Sequence, residues 1–389
     1  MENKERALAH VEKIEWIRPI GGADNIELIG VLGWVCIAKK GEFNVGDMAV
    51  YIEIDSKCPE TDERFAFLAN KKFKVKTMKL GKFKVISQGL ALPLSLFPEL
   101  QDRNIGDDVT EALKITYASE EDTARKTNKV DPNAKYKSMA KRRPKLFINP
   151  IVRRIMRYSI GRKIMFLLFG RKKDNPKKFP DWIVKTDETR IENAPFYLQS
   201  TEKWIKTEKC DGTSCTFAVD RLKKGKNKFD FIVCSRNVRQ ADREQTCYHE
   251  SNIYWELADK YDIEKILTQF ATENDYNRVV LQGEGVGSVQ GNPYKFTENK
   301  LFVFNLIIDG TRLGTVEMAD FCKSHGLTSV PIIDTAYELP KTMEEMKLEA
   351  DGYSELNPKV KREGFVYRDI SGQKSFKNVS REYLLKKGE

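Results

Sequence analysis

The segment Thr207-Glu208-Lys209-Cys210-Asp211-Gly212 sets a primary amine between two carboxylates. Strand-like sequence on both sides places Lys209 at a strand end, entering a turn that Gly212 permits. A lysine attacks an electrophile only as the free amine, and its ordinary pKa is about 10.4. Nucleophilic use of Lys209 therefore calls for surroundings that depress that value, through nearby positive charge or metal contact. A strand-end lysine beside an acid is also common on surfaces, so K-x-D-G alone leaves both readings open.

Further chemistry-bearing residues follow in order. They are Ser235, Arg236 and Asn237 in CSRN, Gly283, Glu284 and Gly285 in LQGEG, Phe304 in VFNL, Glu363, Gly364 and Val366 in REGFVYR, and Lys374 and Lys377 in QKSFKN. Taken singly, Arg236 reads as the partner of a surface carboxylate, Phe304 as strand packing and Glu363 as a turn acid. The glycines of QGEGVGSVQG fall as GxGxG, with Ser288 where a dinucleotide fingerprint needs its third glycine, and the chain has no P-loop. Three histidines (His10, His249, His325) supply poorly any chemistry built on imidazole.

Jointly and in this order, the motifs resemble those of the lysine-dependent nucleotidyltransferases: DNA ligases, RNA ligases and mRNA capping enzymes. The resemblance is closest to ATP-dependent RNA ligases of the Deinococcus/Naegleria type, which place an OB module before the catalytic domain. TEK ahead of the DG pair points the same way, as does a chain that stops 12 residues after Lys377. DNA ligases and capping enzymes carry their OB domain after the last motif.

The resemblance implies that Lys209 takes AMP from ATP as a lysyl–AMP and passes it to an RNA 5′-phosphate, which a 3′-hydroxyl then joins. It also implies Mg²⁺ (or Mn²⁺) beside the lysine, held largely through waters by Asp211, Glu284 and Glu363, which suits an ion that prefers oxygen ligands and keeps much of its hydration shell. Lys377 would neutralise the α-phosphate, with Lys374 or a water in support. Arg236 and Glu284 would hold the ribose, Phe304 would stack on adenine, and the backbone around Glu208 would read the amino edge. Many relatives carry a lysine two residues before the last one, where this chain has Ser375; Lys374 lies one position off. GTP-dependent capping, DNA nick sealing and a non-catalytic RNA-binding protein of the same fold remain the alternatives.

These residues need a scaffold, and the 389-residue chain is long enough for two domains and a connecting segment. With 40% hydrophobic and 32% charged residues it has the composition of a globular protein. Seven scattered cysteines without a CxxC pair suggest neither a disulfide framework nor a zinc site, and the start lacks an apolar signal core. A reducing, cytoplasmic setting is expected. The expected architecture is α+β: an OB-like β-barrel in residues 1–115, a basic connector with an amphipathic helix in 116–181, and a nucleotidyltransferase (ATP-grasp-like ligase) domain in 182–389.

In the first part, short apolar runs such as IELIGVLGWVCIA and MAVYIEI alternate with glycine and asparagine turn signals. The run KKFKVKTMKLGKFKV, residues 71–85, interleaves apolar residues with seven lysines, so a strand pair there would bury one face and present a basic one. Lys74, Lys76, Lys79 and Lys82 are the expected nucleic-acid contacts.

Residues 121–178 hold 19 lysines and arginines against 4 acids, so the rest of this +10 chain sums to −5. Such a connector attracts polyanions, with nucleic acid first and anionic membrane second. Within it one helix is expected from the Asn149-Pro150 start to the Gly170 stop, packed between the domains with its arginines towards RNA. Residues 118–140 read as a polar loop. The expected partner is RNA or a nicked RNA/DNA duplex, with no membrane and a monomeric protein.

Overall fold

The computed structural model describes residues 7–118, 146, 148–169, 177–222, 228–240 and 252–388. The loop expected over 118–140 lies outside them beyond Ala118, as do the Gly170 stop and most of the basic connector.

The N-terminal part is a barrel of antiparallel strands. Strands β1 (Ala9–Pro19), β2 (Ile26–Val31), β3 (Trp34–Lys39), β4 (Met48–Ile52) and β8 (Leu90–Pro93) form a sheet in the order β3-β2-β1-β4-β8. Two small ladders complete it: β5 (Ser56–Lys57) with β9 (Thr116–Tyr117), and β6 (Met78–Leu80) with β7 (Val85–Ser87). Alternation along the strands buries Val11, Val50 and Ile52 in one cluster, which Phe65 and Phe97 from outside the strands complete, and Ile14, Ile29, Trp34 and Tyr51 in another. The lysine-rich run is less regular than its alternation predicts. Residues up to Lys71 finish a 3-10 helix, and Lys72 and Phe73 both take left-handed backbone conformations, so only Met78–Leu80 pairs as a strand before the hairpin turns. Lys74 is consequently buried, while Lys76, Lys79 and Lys82 stay exposed.

One buried charge cluster makes the barrel pH-sensitive. His10 on β1 lies 2.8 Å from Glu12 and 3.4 Å from Glu53. Burial opposes its charge, yet the two carboxylates outweigh burial and raise its pKa from 6.5 to about 9. The folded value exceeds the unfolded one, so this stabilisation is complete below about pH 6.5 and is lost as pH rises through about 9. Amide-exchange protection across β1 is expected to weaken over that interval by on the order of 1–3 kcal/mol, and His10→Phe should flatten the dependence.

The C-terminal part joins two antiparallel sheets. The larger runs β10 (Lys177–Lys178), β14 (Val238–Arg239), β13 (Phe229–Cys234), β12 (Thr213–Arg221), β15 (Arg278–Val286), β16 (Lys300–Ile308) and β17 (Thr311–Arg312). The smaller runs β18 (Ile332–Tyr337), β11 (Trp204–Lys209), β19 (Gly364–Asp369) and β20 (Ser375–Val379). Phe217, Leu257, Leu267, Leu281, Val303 and Leu306 fill the core beneath the larger sheet, and Trp204, Phe365, Tyr367 and Phe376 fill that of the smaller.

Seven described helices cover the sheets and the connector: α1 (Pro150–Met156), α2 (Ser159–Phe169), α3 (Ile253–Lys260), α4 (Ile263–Glu273), α5 (Thr315–Ser324), α6 (Met343–Ala350) and α7 (Arg381–Gly388). The continuous apolar periodicity of YWELADKYDIEKILTQFA breaks into α3 and α4, because Asp262 adopts a left-handed conformation. The connector helix also divides, at Arg157–Tyr158, and its isoleucines face solvent instead of the seam between the two parts.

A short polar seam makes part of the contact between barrel and C-terminal part, where Leu384 also packs against the barrel core. The Gly33 amide donates to the Glu192 carbonyl at 2.8 Å, and Trp34 Nε1 donates to Asn193 Oδ1. Lys347 on α6, buried, donates to the Gly33 carbonyl at 2.9 Å. Each bond satisfies a group that would be costly to bury alone.

Candidate active site

Lys209 ends β11 in the smaller sheet, and four residues later Thr213 opens β12 in the larger one. The K-x-D-G segment is thus the crossing from one sheet to the other. Gly212 owes its place to a close approach: a Cβ there would lie 2.4 Å from the Gly285 carbonyl oxygen. Antiparallel register then gathers the distant motifs. Gly364, at a φ of +150°, pairs with Lys209 and so sets Glu363 beside it, while Lys377 on β20 pairs with Val366 on β19. Across the crossing, Glu284 on β15 stands opposite Ser214.

Lys209 Nζ meets Glu363 Oε1 at 2.7 Å. Burial disfavours its charge, but Glu363, Glu284 and Asp211 outweigh burial and hold the amine above its ordinary value. The sequence led to the expectation of a depressed amine; the structure shows the opposite, because three acids surround the cation. Those acids also act on one another. Burial pushes the Glu284 carboxyl up to about 8, Glu363 and Asp211 push the same way, and Lys209 opposes them.

Among the described residues no group of three donors is close enough to hold a metal directly. Three acids that share one lysine without converging to ligand distance fit an ion kept at one remove by its own waters.

Lys377 Nζ lies 2.6 Å from Asp187 Oδ1, and Arg236 reaches the other oxygen of that carboxylate at 3.3 Å. Arg236 is half exposed and sits over the ring of Tyr117 from the barrel. Phe304, half-buried, packs against a cluster of Cys210, Val286, Phe302 and Val330. Cys210 and Cys215 are buried, and burial pushes both thiols well above their ordinary range, as packing residues require.

Two expected residues are committed elsewhere. The Glu208 amide donates to the Pro331 carbonyl, while its carboxylate accepts from the Ser354 hydroxyl and, at 2.7 Å, from the Glu355 amide. Its side chain therefore braces a neighbouring loop. Lys374 sits in the turn before β20, about half exposed, with its ammonium on Glu202 at 2.7 Å. The structure does not bring it to the Lys209 group. Ser375, in the position of the missing lysine, hydrogen-bonds Glu188, which also binds Arg368 at 3.0 Å.

Motif spacing missed two participants, and neither carries a local signal. Asp187 comes from an irregular segment that runs beside β20, where the Lys377 amide donates to the Thr189 carbonyl. Tyr383 on α7 hydrogen-bonds Asp211 and is buried, with a pKa raised by burial and by Glu363 and Asp211. Tyr383→Phe should lower the rate of nucleotide transfer about threefold to tenfold, the worth of one buried hydrogen bond, and raise the metal concentration giving half-maximal rate. An unchanged metal dependence would show that the hydroxyl does not position Asp211.

An RNA ligase family model matches residues 202–386, and an OB-fold domain model matches residues 8–94. Naegleria gruberi RNA ligase with pyrophosphate is 31% identical, superposes with a TM-score of 0.74, and is matched over 98% of this chain and 99% of its own. The chain belongs to the RNA ligase family. A substituted form of the Naegleria enzyme with ATP and Mn is 30% identical to this ligase at a TM-score of 0.74, over 98% of this chain and 100% of that one. Another, with AMP and Mn, gives 30% and 0.75 over 99% and 100%. No curated protein matches the ligase. Its N-terminal OB-fold and C-terminal ligase domain agree with the architecture expected from sequence.

Proposed function

We propose that this ligase seals RNA nicks with ATP through a covalent AMP on Lys209. The observation that carries the reading is the placement of the Lys209 amine 2.7 Å from Glu363 at the crossing between sheets, with Asp211 in the crossing itself and Glu284 and Lys377 placed by strand register. In the first step Lys209 Nζ bonds to the α-phosphorus of ATP, the bond to the β-phosphate oxygen breaks, and pyrophosphate leaves. AMP then passes to an RNA 5′-phosphate, and a 3′-hydroxyl attacks that phosphate to form the phosphodiester and release AMP.

Asp211, Glu284 and Glu363 would hold a divalent ion, Mg²⁺ or Mn²⁺, whose positive charge would offset the acids that keep the Lys209 amine above its ordinary pKa. Lys377 neutralises the α-phosphate, Arg236 and Glu284 hold the ribose, and Phe304 packs on adenine. The Glu208 backbone reads the base through its carbonyl, since its amide is engaged by Pro331. Lys374 acts on the phosphate only if it leaves Glu202. Residues 182–389 house this chemistry, residues 1–115 hold nucleic acid, and one chain suffices.

Protein incubated with labelled ATP or GTP and analysed by mass spectrometry should gain one AMP on Lys209 from ATP alone. Sealing of RNA-containing nicks but not all-DNA nicks should follow. GMP transfer would turn the assignment to capping, and RNA binding without any nucleotide adduct would leave only a binding protein.

The exposed lysines of the β6–β7 hairpin supply a separate check. Lys79→Glu with Lys82→Glu should weaken nick sealing about tenfold or more, with a shallower salt dependence, and leave AMP attachment unchanged. Equal sealing by this variant would remove the hairpin from the RNA surface.

A further inference from the structure

The connector contains a repeat that the ligase chemistry does not use. Ile151-Val152-Arg153-Arg154-Ile155-Met156 on α1 recurs nine positions later as Ile160-Gly161-Arg162-Lys163-Ile164-Met165 on α2. Both copies are exposed at the same places. Ile151 and Ile155, then Ile160 and Ile164, lie one helical turn apart and face solvent, and Leu168 extends the second stripe by another turn. Ile151 and Ile160 are each 70% exposed, far from the burial that their apolar surface favours. On α2 the inward direction is taken by Gly161 and Met165, so the isoleucine stripe is surplus to the packing of that helix. Arg154 and Lys163, equivalent in the repeat and both exposed, lie on the flank of each stripe. Residues 150–169 hold five basic side chains and no acid.

We infer that α1 and α2 form an interfacial pair that seats this ligase on an anionic phospholipid surface, with the isoleucines among the acyl chains and the basic side chains at the headgroups. No described helix is long and apolar enough to cross a membrane, so the contact is peripheral. Charge and polarity together select this occupant. RNA offers phosphates to the arginines but no apolar phase for five aliphatic side chains. A second copy of the chain offers an apolar face but sets five cations against five. A bilayer containing phosphatidylserine satisfies both demands.

The test is flotation of the full-length protein with vesicles of phosphatidylcholine, with and without phosphatidylserine. Binding should require phosphatidylserine and fall with added salt. Ile160→Asp with Ile164→Asp should lower vesicle partitioning at least about tenfold, by the loss of apolar burial. Arg154→Glu with Lys163→Glu should lower it by more than about tenfold, at roughly fivefold for each basic residue at such a surface. Nucleotide attachment in solution should be unchanged in both pairs, and since all four positions are exposed, thermal unfolding should be unchanged too. Vesicle binding undiminished in the isoleucine pair overturns the inference. So does absence of vesicle binding together with a loss of RNA affinity in that pair, which would make the surface an RNA contact. A concentration-dependent dimer that the isoleucine pair dissolves would assign the face to a second copy.

Discussion

Lys209→Ala is expected to abolish AMP attachment and RNA sealing from ATP, with rates down at least about 10⁴-fold, the scale of removing a nucleophile from a working site. The expectation follows from position. Lys209 is the last residue of β11, its amine already meets Glu363, and two further acids act on it from the crossing and from β15. Truncation removes the only atom proposed to bond phosphorus and leaves the N-terminal OB-fold, proposed to hold RNA, intact. RNA affinity should therefore change less than about twofold while the mass-spectrometric adduct disappears. The side chain is part of a buried charge cluster, so Lys209→Arg is the second arm: it retains the cation and should be equally inactive. Full adduct formation by either variant would refute the assignment.

The second large effect separates two lysines that the sequence places three positions apart. Lys377→Ala should slow AMP attachment about 10²–10³-fold, the usual consequence of removing a fixed charge aimed at a developing one. Lys377 is buried, held by β20, and already engages an anion, the Asp187 carboxylate that Arg236 also contacts. Lys374→Ala should change the same rate by less than about twofold, since its ammonium lies in solvent against Glu202, where an exposed pair contributes little. Measured under single turnover with the released pyrophosphate removed by pyrophosphatase, the two variants should differ by at least about fiftyfold. Equal losses would mean that the turn before β20 rearranges to bring Lys374 to the phosphate.

Much of the site was legible because its motifs are short and local in character. A lysine two residues before an acid and three before a glycine, an acid between glycines, and an acid followed by glycine each mark a strand end, and strand ends are where a sheet presents side chains to a ligand. The strand-like sequence on both sides of Lys209 occurs as β11 and β12. Local pattern failed where a single backbone conformation outweighed periodicity. Asp262 splits one apparent helix into two, and the left-handed pair Lys72–Phe73 disrupts the lysine-rich strand and turns Lys74 inward. Lysine and phenylalanine rarely take such a conformation, and aspartate, which tolerates it, does not require it.

What the sequence alone determined is the order and identity of the candidate site residues, because residue type and spacing survive without coordinates. The raised pKa of Lys209, the place of Lys374, and the positions of Asp187 and Tyr383 beside the candidate site were decided only in three dimensions. Protonation depends on how many charges crowd a buried amine, and here three acids arrive from a turn, a strand of the other sheet and the start of β19. Asp187 and Tyr383 reach the site from residues 22 positions before Lys209 and 174 after it, across ladders and a terminal helix whose packing no local spacing encodes.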